Sequence, residues 1–183
     1  MKRQIRSSVF ETNSSSTHSI AISKAPAVIG KSIHFGIGEY GWENDCVNPA
    51  NYLYTAILYV YSSEVAEEKI EELKRILDKY DVFYQFEEPE YWIGSSGHAY
   101  LDNGYIDHGD ELTEFLEAIF SNEDLLMRYL FGNSIVYTGN DNQDERPSGC
   151  NIANAEYYDW EEKKWMTNPY HDSENYEYFY KCN

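Results

Sequence analysis

The chain is short of positive charge and has no long apolar run. Its 183 residues include 14 lysines and arginines against 32 aspartates and glutamates, so the formal net charge is −18. No apolar stretch approaches the roughly 20 residues that a membrane-spanning helix needs. The first ten residues lack the apolar block of a secretion signal. These absences argue against a membrane or secreted protein, and we expect a cytoplasmic one.

Cysteine is also scarce, and ligand motifs are missing. Cys46, Cys150 and Cys182 lie far apart and match no CxxC or Cys/His spacing, so we expect neither disulfides nor structural zinc. The acidic loop 139–145 lacks the glycine at position six and the glutamate at position twelve that an EF-hand needs. A hydrolytic metal site matching no defined motif is conceivable at four further positions, His98, Asp102, Asp107 and His108. A glycine-rich turn and a helix start explain those four residues as well, so we predict no metal and no cofactor.

The negative charge is concentrated in the second part of the chain. Residues 1–80 hold 9 basic and 10 acidic side chains, whereas residues 81–183 hold 5 and 22. Because phosphate binding depends on lysine and arginine, direct nucleic-acid binding by the second part is unfavourable. The N-terminus is the exception, because its basic residues Lys2, Arg3 and Arg6 leave room for a secondary nucleic-acid contact. A basic protein is the natural electrostatic partner.

Aromatic residues are abundant for such an acidic chain. They make up 16% of it, with 18 tyrosines and 4 tryptophans. Disordered acidic chains have few aromatics, so we expect a folded protein. Tyrosine and tryptophan are enriched at binding hot spots, which favours an acidic, tyrosine-rich interaction surface.

The hydrophobic pattern predicts a single α+β domain over residues 1–183. A helix over 62–80 is indicated by apolar residues at helical spacing, with shorter helices over 112–120 and 125–131. Residues 50–61 fit either a buried helix or a buried strand. Strands predicted at 3–10, 18–23 and 175–182 favour a mostly antiparallel sheet, built from both ends of the chain and packed with about three central helices. In the predicted hairpin 155–167, we expect Trp160 and Trp165 to pair across a charged turn.

Carboxylates from several predicted loops and helix faces are the candidate partner-binding residues. If they share one face, their spacing would imitate the phosphate track of duplex DNA and act as a DNA mimic. Acidity that only keeps the protein soluble is the alternative explanation. The candidates are Glu87, Glu88, Glu90, Asp110, Glu111, Glu114, Asp141, Asp144, Glu145, Glu161 and Glu162.

The segment FETNSSSTHS at residues 10–19 offers a rival function. Serines beside a histidine, with an arginine upstream, fit a phosphate- or nucleotide-binding hydrolase. No glycine elbow or Walker loop accompanies them, and a polar corner between two strands explains the same residues. The alternative phosphate site consists of Arg6, Ser14, Ser15, Ser16 and His18. A further possibility is a phage structural or accessory protein that assembles with itself.

The segment VFETNSSSTHSI resembles the opening of uncharacterised small proteins carried by bacteriophages and mobile elements of gut bacteria. In size, acidity and aromatic content the whole chain resembles phage-encoded anti-CRISPR inhibitors of the RNA-guided nuclease of type II systems. This resemblance implies a non-enzymatic nuclease inhibitor acting in the bacterial host cytoplasm. Such nucleases hold guide and target in positively charged channels, which an acidic surface can occupy.

Overall fold

The computed structural model describes residues 16–41, 45–95, 97, 99–107, 112–140 and 155–182. In this part of the chain, helices and mostly antiparallel strands form an α+β fold, which confirms the predicted class. None of the helices found there combines the length and apolar character that a membrane span requires.

The described residues contain four α-helices in the middle of the chain: α1 (Pro49–Val60), α2 (Ser63–Lys79), α3 (Thr113–Ser121) and α4 (Glu123–Phe131). Residues 50–61, for which the sequence allowed either a buried helix or a buried strand, fall almost entirely in helix α1. Asn48 caps it, since its side-chain oxygen accepts hydrogen bonds from the amides of Ala50 at 2.9 Å and Asn51 at 3.2 Å. Because α1 is buried on nearly every side, no polar face reveals its period in the sequence.

The strands are β1 (Ser16–Ser23), β2 (Ser32–Phe35), β3 (Glu39–Tyr40), β4 (Asp45–Val47), β5 (Phe83–Phe86), β6 (Tyr91–Ile93), β7 (Ala99–Leu101), β8 (Tyr105–Ile106), β9 (Ser134–Asn140), β10 (Glu156–Asp159), β11 (Lys164–Thr167) and β12 (Tyr176–Cys182). The main sheet has the order β12-β1-β9-β4 and is antiparallel throughout. An early and a late strand, β1 and β12, are therefore neighbours, as predicted. The strand predicted at 3–10 lies outside the described residues.

Four two-stranded ladders complete the described fold. The pairs β2–β5 and β3–β8 are parallel, and the pairs β6–β7 and β10–β11 are antiparallel hairpins. The predicted hairpin at β10–β11 is confirmed, but the predicted tryptophan pair is wrong. Trp165 lies opposite Tyr158, and Trp160 belongs to the turn. The Asp159 side chain accepts hydrogen bonds from the amides of the next turn residues, which starts the turn one residue earlier than the aromatic pattern suggests.

Helix α1 is the centre of the hydrophobic core. Tyr52, Leu53 and Ile57 are fully buried, and Ile20 and Ile22 of β1 belong to the same cluster. Helices α2, α3 and α4 all contact α1, as do β2 and β9. The position of every other helix is therefore set by α1.

Arg128 joins α4 to the main sheet. Its guanidinium donates to the Asp124 carboxylate at 2.8 Å, the Ser23 carbonyl at 3.0 Å and the Glu177 carboxylate at 2.8 Å. Burial alone would lower the pKa of Arg128, but the hydrogen bonds to the two carboxylates outweigh that effect and raise it. The buried cation is thus satisfied on three sides.

Replacing Arg128 with methionine should lower the free energy of unfolding by about 1.5–3 kcal/mol, because charge-assisted hydrogen bonds are lost while the apolar stem is kept. Urea unfolding measures the change. Asp124→Asn is the matched control and should cost less than about 1 kcal/mol, since the Asp124 side chain is 78% exposed. Equal losses in the two variants would contradict the role given to Arg128.

Cys46 of β4 forms a disulfide, so the expectation that no cysteine is paired was wrong. Its partner is not among the described side chains. Sequence spacing alone cannot reveal which cysteines approach each other in space, which is why the separations along the chain misled the prediction.

Candidate functional site

A surface groove lies between α2, the second half of α1 and the connection from β5 to β6. Its volume is about 300 Å³. Apolar and aromatic side chains line this groove together with four carboxylates, and we call it the acidic groove. It is lined by Tyr54, Leu58, Ser63, Ala66, Glu67, Ile70, Glu71, Lys74, Phe86, Glu87, Glu88, Pro89 and Tyr91.

One face of α2 forms the first wall of the acidic groove. Glu67 and Glu71 are four residues apart, so their like charges lie side by side and oppose helix formation by a few tenths of a kcal/mol. Lys74 relieves part of this repulsion, since its ammonium lies 2.7 Å from the Glu71 carboxylate. Among the described residues, Glu67 has no ion-pair partner. The wall therefore keeps an uncompensated negative charge.

Hydrogen bonds fix the opposite wall, the connection from β5 to β6. The Tyr54 hydroxyl donates to the Glu87 carbonyl at 2.9 Å, and the Glu87 carboxylate accepts from the Ile37 amide at 2.9 Å. Asn103 accepts from the Glu90 amide at 2.9 Å and donates to the Glu88 carbonyl at 3.3 Å. The backbone is held on both sides while the Glu88 side chain stays exposed.

Stacked rings make the floor of the acidic groove rigid. Phe86 stacks on Phe35 with ring centroids 4.6 Å apart and meets the edge of Tyr54 at 5.0 Å. The Lys74 ammonium lies 5.6 Å from the centre of the Phe86 ring. A cation held between a carboxylate and an aromatic face is thus already part of this site.

The carboxylates of the acidic groove add to the effect of burial on the pKa of Tyr54. Burial, followed by the nearby Tyr91, Glu88 and Glu87, raises the pKa of Tyr54 to about 12. Both carboxylates act in the same direction because a phenolate beside them would be a further negative charge. The groove therefore favours cations and disfavours anions.

Two hairpins expose aromatic rings beside acidic residues. In β6–β7, Trp92 and Tyr100 stack with centroids 4.7 Å apart and are 49% and 46% exposed. In β10–β11, Trp160 and Trp165 both contact Tyr158 edge-on and are 66% and 68% exposed. Rings of this size on the surface are typical of binding sites.

The predicted carboxylates fall on several elements. Glu87 and Glu88 line the acidic groove, and Glu90 lies just before β6. Glu114 is in the first turn of α3. Two more, Glu161 and Glu162, lie in the turn of β10–β11. The remaining candidates lie outside the described residues: Asp110, Glu111, Asp141, Asp144 and Glu145.

Glu67 and Glu71 were missed by the sequence prediction. They belong to residues 1–80, whose charges nearly cancel when summed. The signal that identifies them is helical spacing, because Glu67, Ile70, Glu71 and Lys74 follow one stripe of α2. Summing the charges along each face of a helix, instead of over a long segment, would have identified these two glutamates.

The described part of the alternative phosphate site is buried. Ser16 and His18 are 0% and 1% exposed. They share a face of β1, with the Ser16 hydroxyl 3.4 Å from His18 Nε2, and His18 Nδ1 lies 2.8 Å from the Tyr52 hydroxyl. This polar chain links the sheet to α1 inside the core. Three further members of the predicted site lie outside the described residues: Arg6, Ser14 and Ser15.

Of the four conceivable metal ligands, Asp102 and Asp107 lie within the described ranges, whereas His98 and His108 do not. Those ranges contain no group of three or more histidine, cysteine, aspartate or glutamate residues arranged to hold a metal ion.

No family model, no curated protein and no solved structure matches this chain.

Alkaline stability tests the buried position of Tyr54 at the acidic groove. Because its folded pKa is raised from 10.0 to about 12, Tyr54 contributes stability that is full below pH 10 and lost as the pH rises toward 12. Tyr54→Phe cannot ionise, so its free energy of unfolding should fall less steeply over that range. Urea unfolding between about pH 9 and pH 11.5 measures the slope. Parallel slopes for variant and wild type would contradict the description of the groove.

Proposed function

We propose that this protein is a non-enzymatic binding protein that docks on a basic protein through its acidic, aromatic surfaces. The observation that carries the proposal is the pairing of exposed tryptophans with carboxylates. Trp160 is 66% exposed and is followed directly by Glu161 and Glu162, while Trp92 of β6 lies two residues after Glu90. Aromatic rings supply contact energy, and the carboxylates select a partner of opposite charge.

The charge of these surfaces disfavours two other kinds of partner. Nucleic-acid backbones and anionic membrane surfaces both require lysine and arginine on the protein. The hairpin turn instead carries carboxylates, and the acidic groove contains four against one lysine. A basic protein surface fits this arrangement.

The finer proposal is that the partner is a nucleic-acid-handling defence protein of a bacterial host, specifically a type II CRISPR nuclease. It is supported by the resemblance to anti-CRISPR proteins and by the positively charged channels of such nucleases. Occupying such a channel would block nucleic-acid binding or cleavage. The inhibitor would act in the host cytoplasm; the Cys46 disulfide weighs against that location, because disulfides are rare in reducing compartments.

Binding to a purified type II nuclease should weaken as salt rises, because charge complementarity is screened. Trp160→Ala combined with Trp165→Ala should weaken it by about thirtyfold or more, as expected for hot-spot residues. Isothermal titration calorimetry gives the affinity, and a DNA-cleavage assay gives the inhibition.

Phe83→Ala is the matched control, since Phe83 is an equally exposed ring, at 72%, outside both hairpins. It should leave the affinity unchanged. No complex at low salt would remove the nuclease as partner, and salt-independent binding would remove the electrostatic mechanism.

A further inference from the structure

The acidic groove has more structure than a general acidic surface requires. Its lining includes the aliphatic side chains of Leu58, Ala66 and Ile70 as well as the charged residues. Its volume of about 300 Å³ is at the small end of ligand sites and suits a side chain more than a cofactor-sized molecule. Aliphatic, aromatic and acidic side chains in one groove complement a long cationic side chain, which has an apolar stem and a charged head.

Lys74 shows how the acidic groove holds a cation. Its ammonium contacts the Glu71 carboxylate at 2.7 Å and faces the Phe86 ring at 5.6 Å. The lysine comes from the same helix, so it neutralises only the end of the groove formed by its own turn. Within the described chain, the carboxylates of Glu67 and Glu88 have no ion-pair partner. Two acidic positions thus remain for an external cation.

Tyr91 contributes a partly exposed aromatic ring to the acidic groove. Tyr91 is 43% exposed and lines the groove together with Glu67 and Glu88. A planar guanidinium can stack on such a ring and form two parallel hydrogen bonds with one carboxylate. A lysine ammonium is compact and strongly hydrated, so it gains less from stacking. The lining therefore favours arginine over lysine.

We propose that the acidic groove is a receptor for one arginine side chain from an exposed basic segment of a protein partner. This inference deepens the proposed function and rests on it for the source of the arginine. The arginine stem would lie over Leu58 and Ile70, with the guanidinium between Tyr91 and the carboxylates of Glu67 and Glu88.

The test is a nuclear magnetic resonance titration of the full chain with N-acetyl-arginine methylamide. Saturable shifts of amide signals are expected in residues 63–74 and 86–91. The lysine analogue should bind more weakly, and the neutral citrulline analogue should cause no shift there. The double variant Glu67→Gln with Glu88→Gln should weaken arginine binding about tenfold, the loss expected for two partly exposed ion pairs.

Glu117→Gln with Glu174→Gln is the matched control, because it removes the same charge from exposed positions outside the acidic groove and both hairpins and should leave the titration unchanged. Equal shifts with arginine and citrulline, or arginine shifts confined to other regions, would overturn the inference. A nuclease that binds wild type and the Glu67→Gln, Glu88→Gln variant equally would also overturn it while leaving the proposed function intact. An arginine-specific titration of the groove with no nuclease complex would support the receptor and remove the nuclease as partner.

Discussion

The hydrogen bond from the Tyr54 hydroxyl to the Glu87 carbonyl, 2.9 Å long, is the contact on which the acidic groove depends. It joins the most buried helix to the chain connection that carries Glu87 and Glu88. Since α1 is fixed by packing on nearly all sides, this bond transfers the rigidity of the core to a surface loop. The stacked Phe35 and Phe86 rings hold the same connection from below. The carboxylates are thus presented by a preorganised backbone, which lowers the entropic cost of binding.

Several local rules of stability are broken in the same places. Glu67 and Glu71 repel each other on α2, and large rings are exposed on both hairpins. Ion pairs elsewhere in the described chain include Arg128 with Asp124 and Glu177, and Lys79 with Glu123. Unfavourable local choices that persist in an otherwise consistent fold are expected at functional sites. These features support the binding role proposed for the acidic groove and the two hairpins.

The sequence predicted the elements whose signals are local. The helix α2 followed from its apolar stripe, and strands near both ends of the chain followed from their alternation and composition. It could not decide α1, because a helix buried all round has no period to detect. The hairpin was recognised, but the Asp159 side chain moved the start of the turn and so separated Trp160 from Trp165. The hydrogen bonds of the Asp159 side chain to the turn amides thus determined which residues face each other in the hairpin.

The candidate site was only partly predictable for a similar reason. Glu87 and Glu88 were recognised as acidic candidates, but their neighbours Glu67 and Glu71 come from another helix in a segment of balanced charge. Tertiary packing brings the pair on α2 and the pair after β5 into one groove, and this proximity cannot be deduced from the pattern of residues along the chain. For Ser16 and His18 the sequence suggested a phosphate site, but both side chains are buried in the core.

Hydrogen–deuterium exchange of the complex with a type II nuclease tests the central claim most directly. The account predicts that binding slows exchange in residues 63–74, 86–93 and 156–167, which carry the acidic groove and the aromatic hairpins. Protection confined to other parts of the chain, with these three segments unchanged in a stable complex, would contradict it.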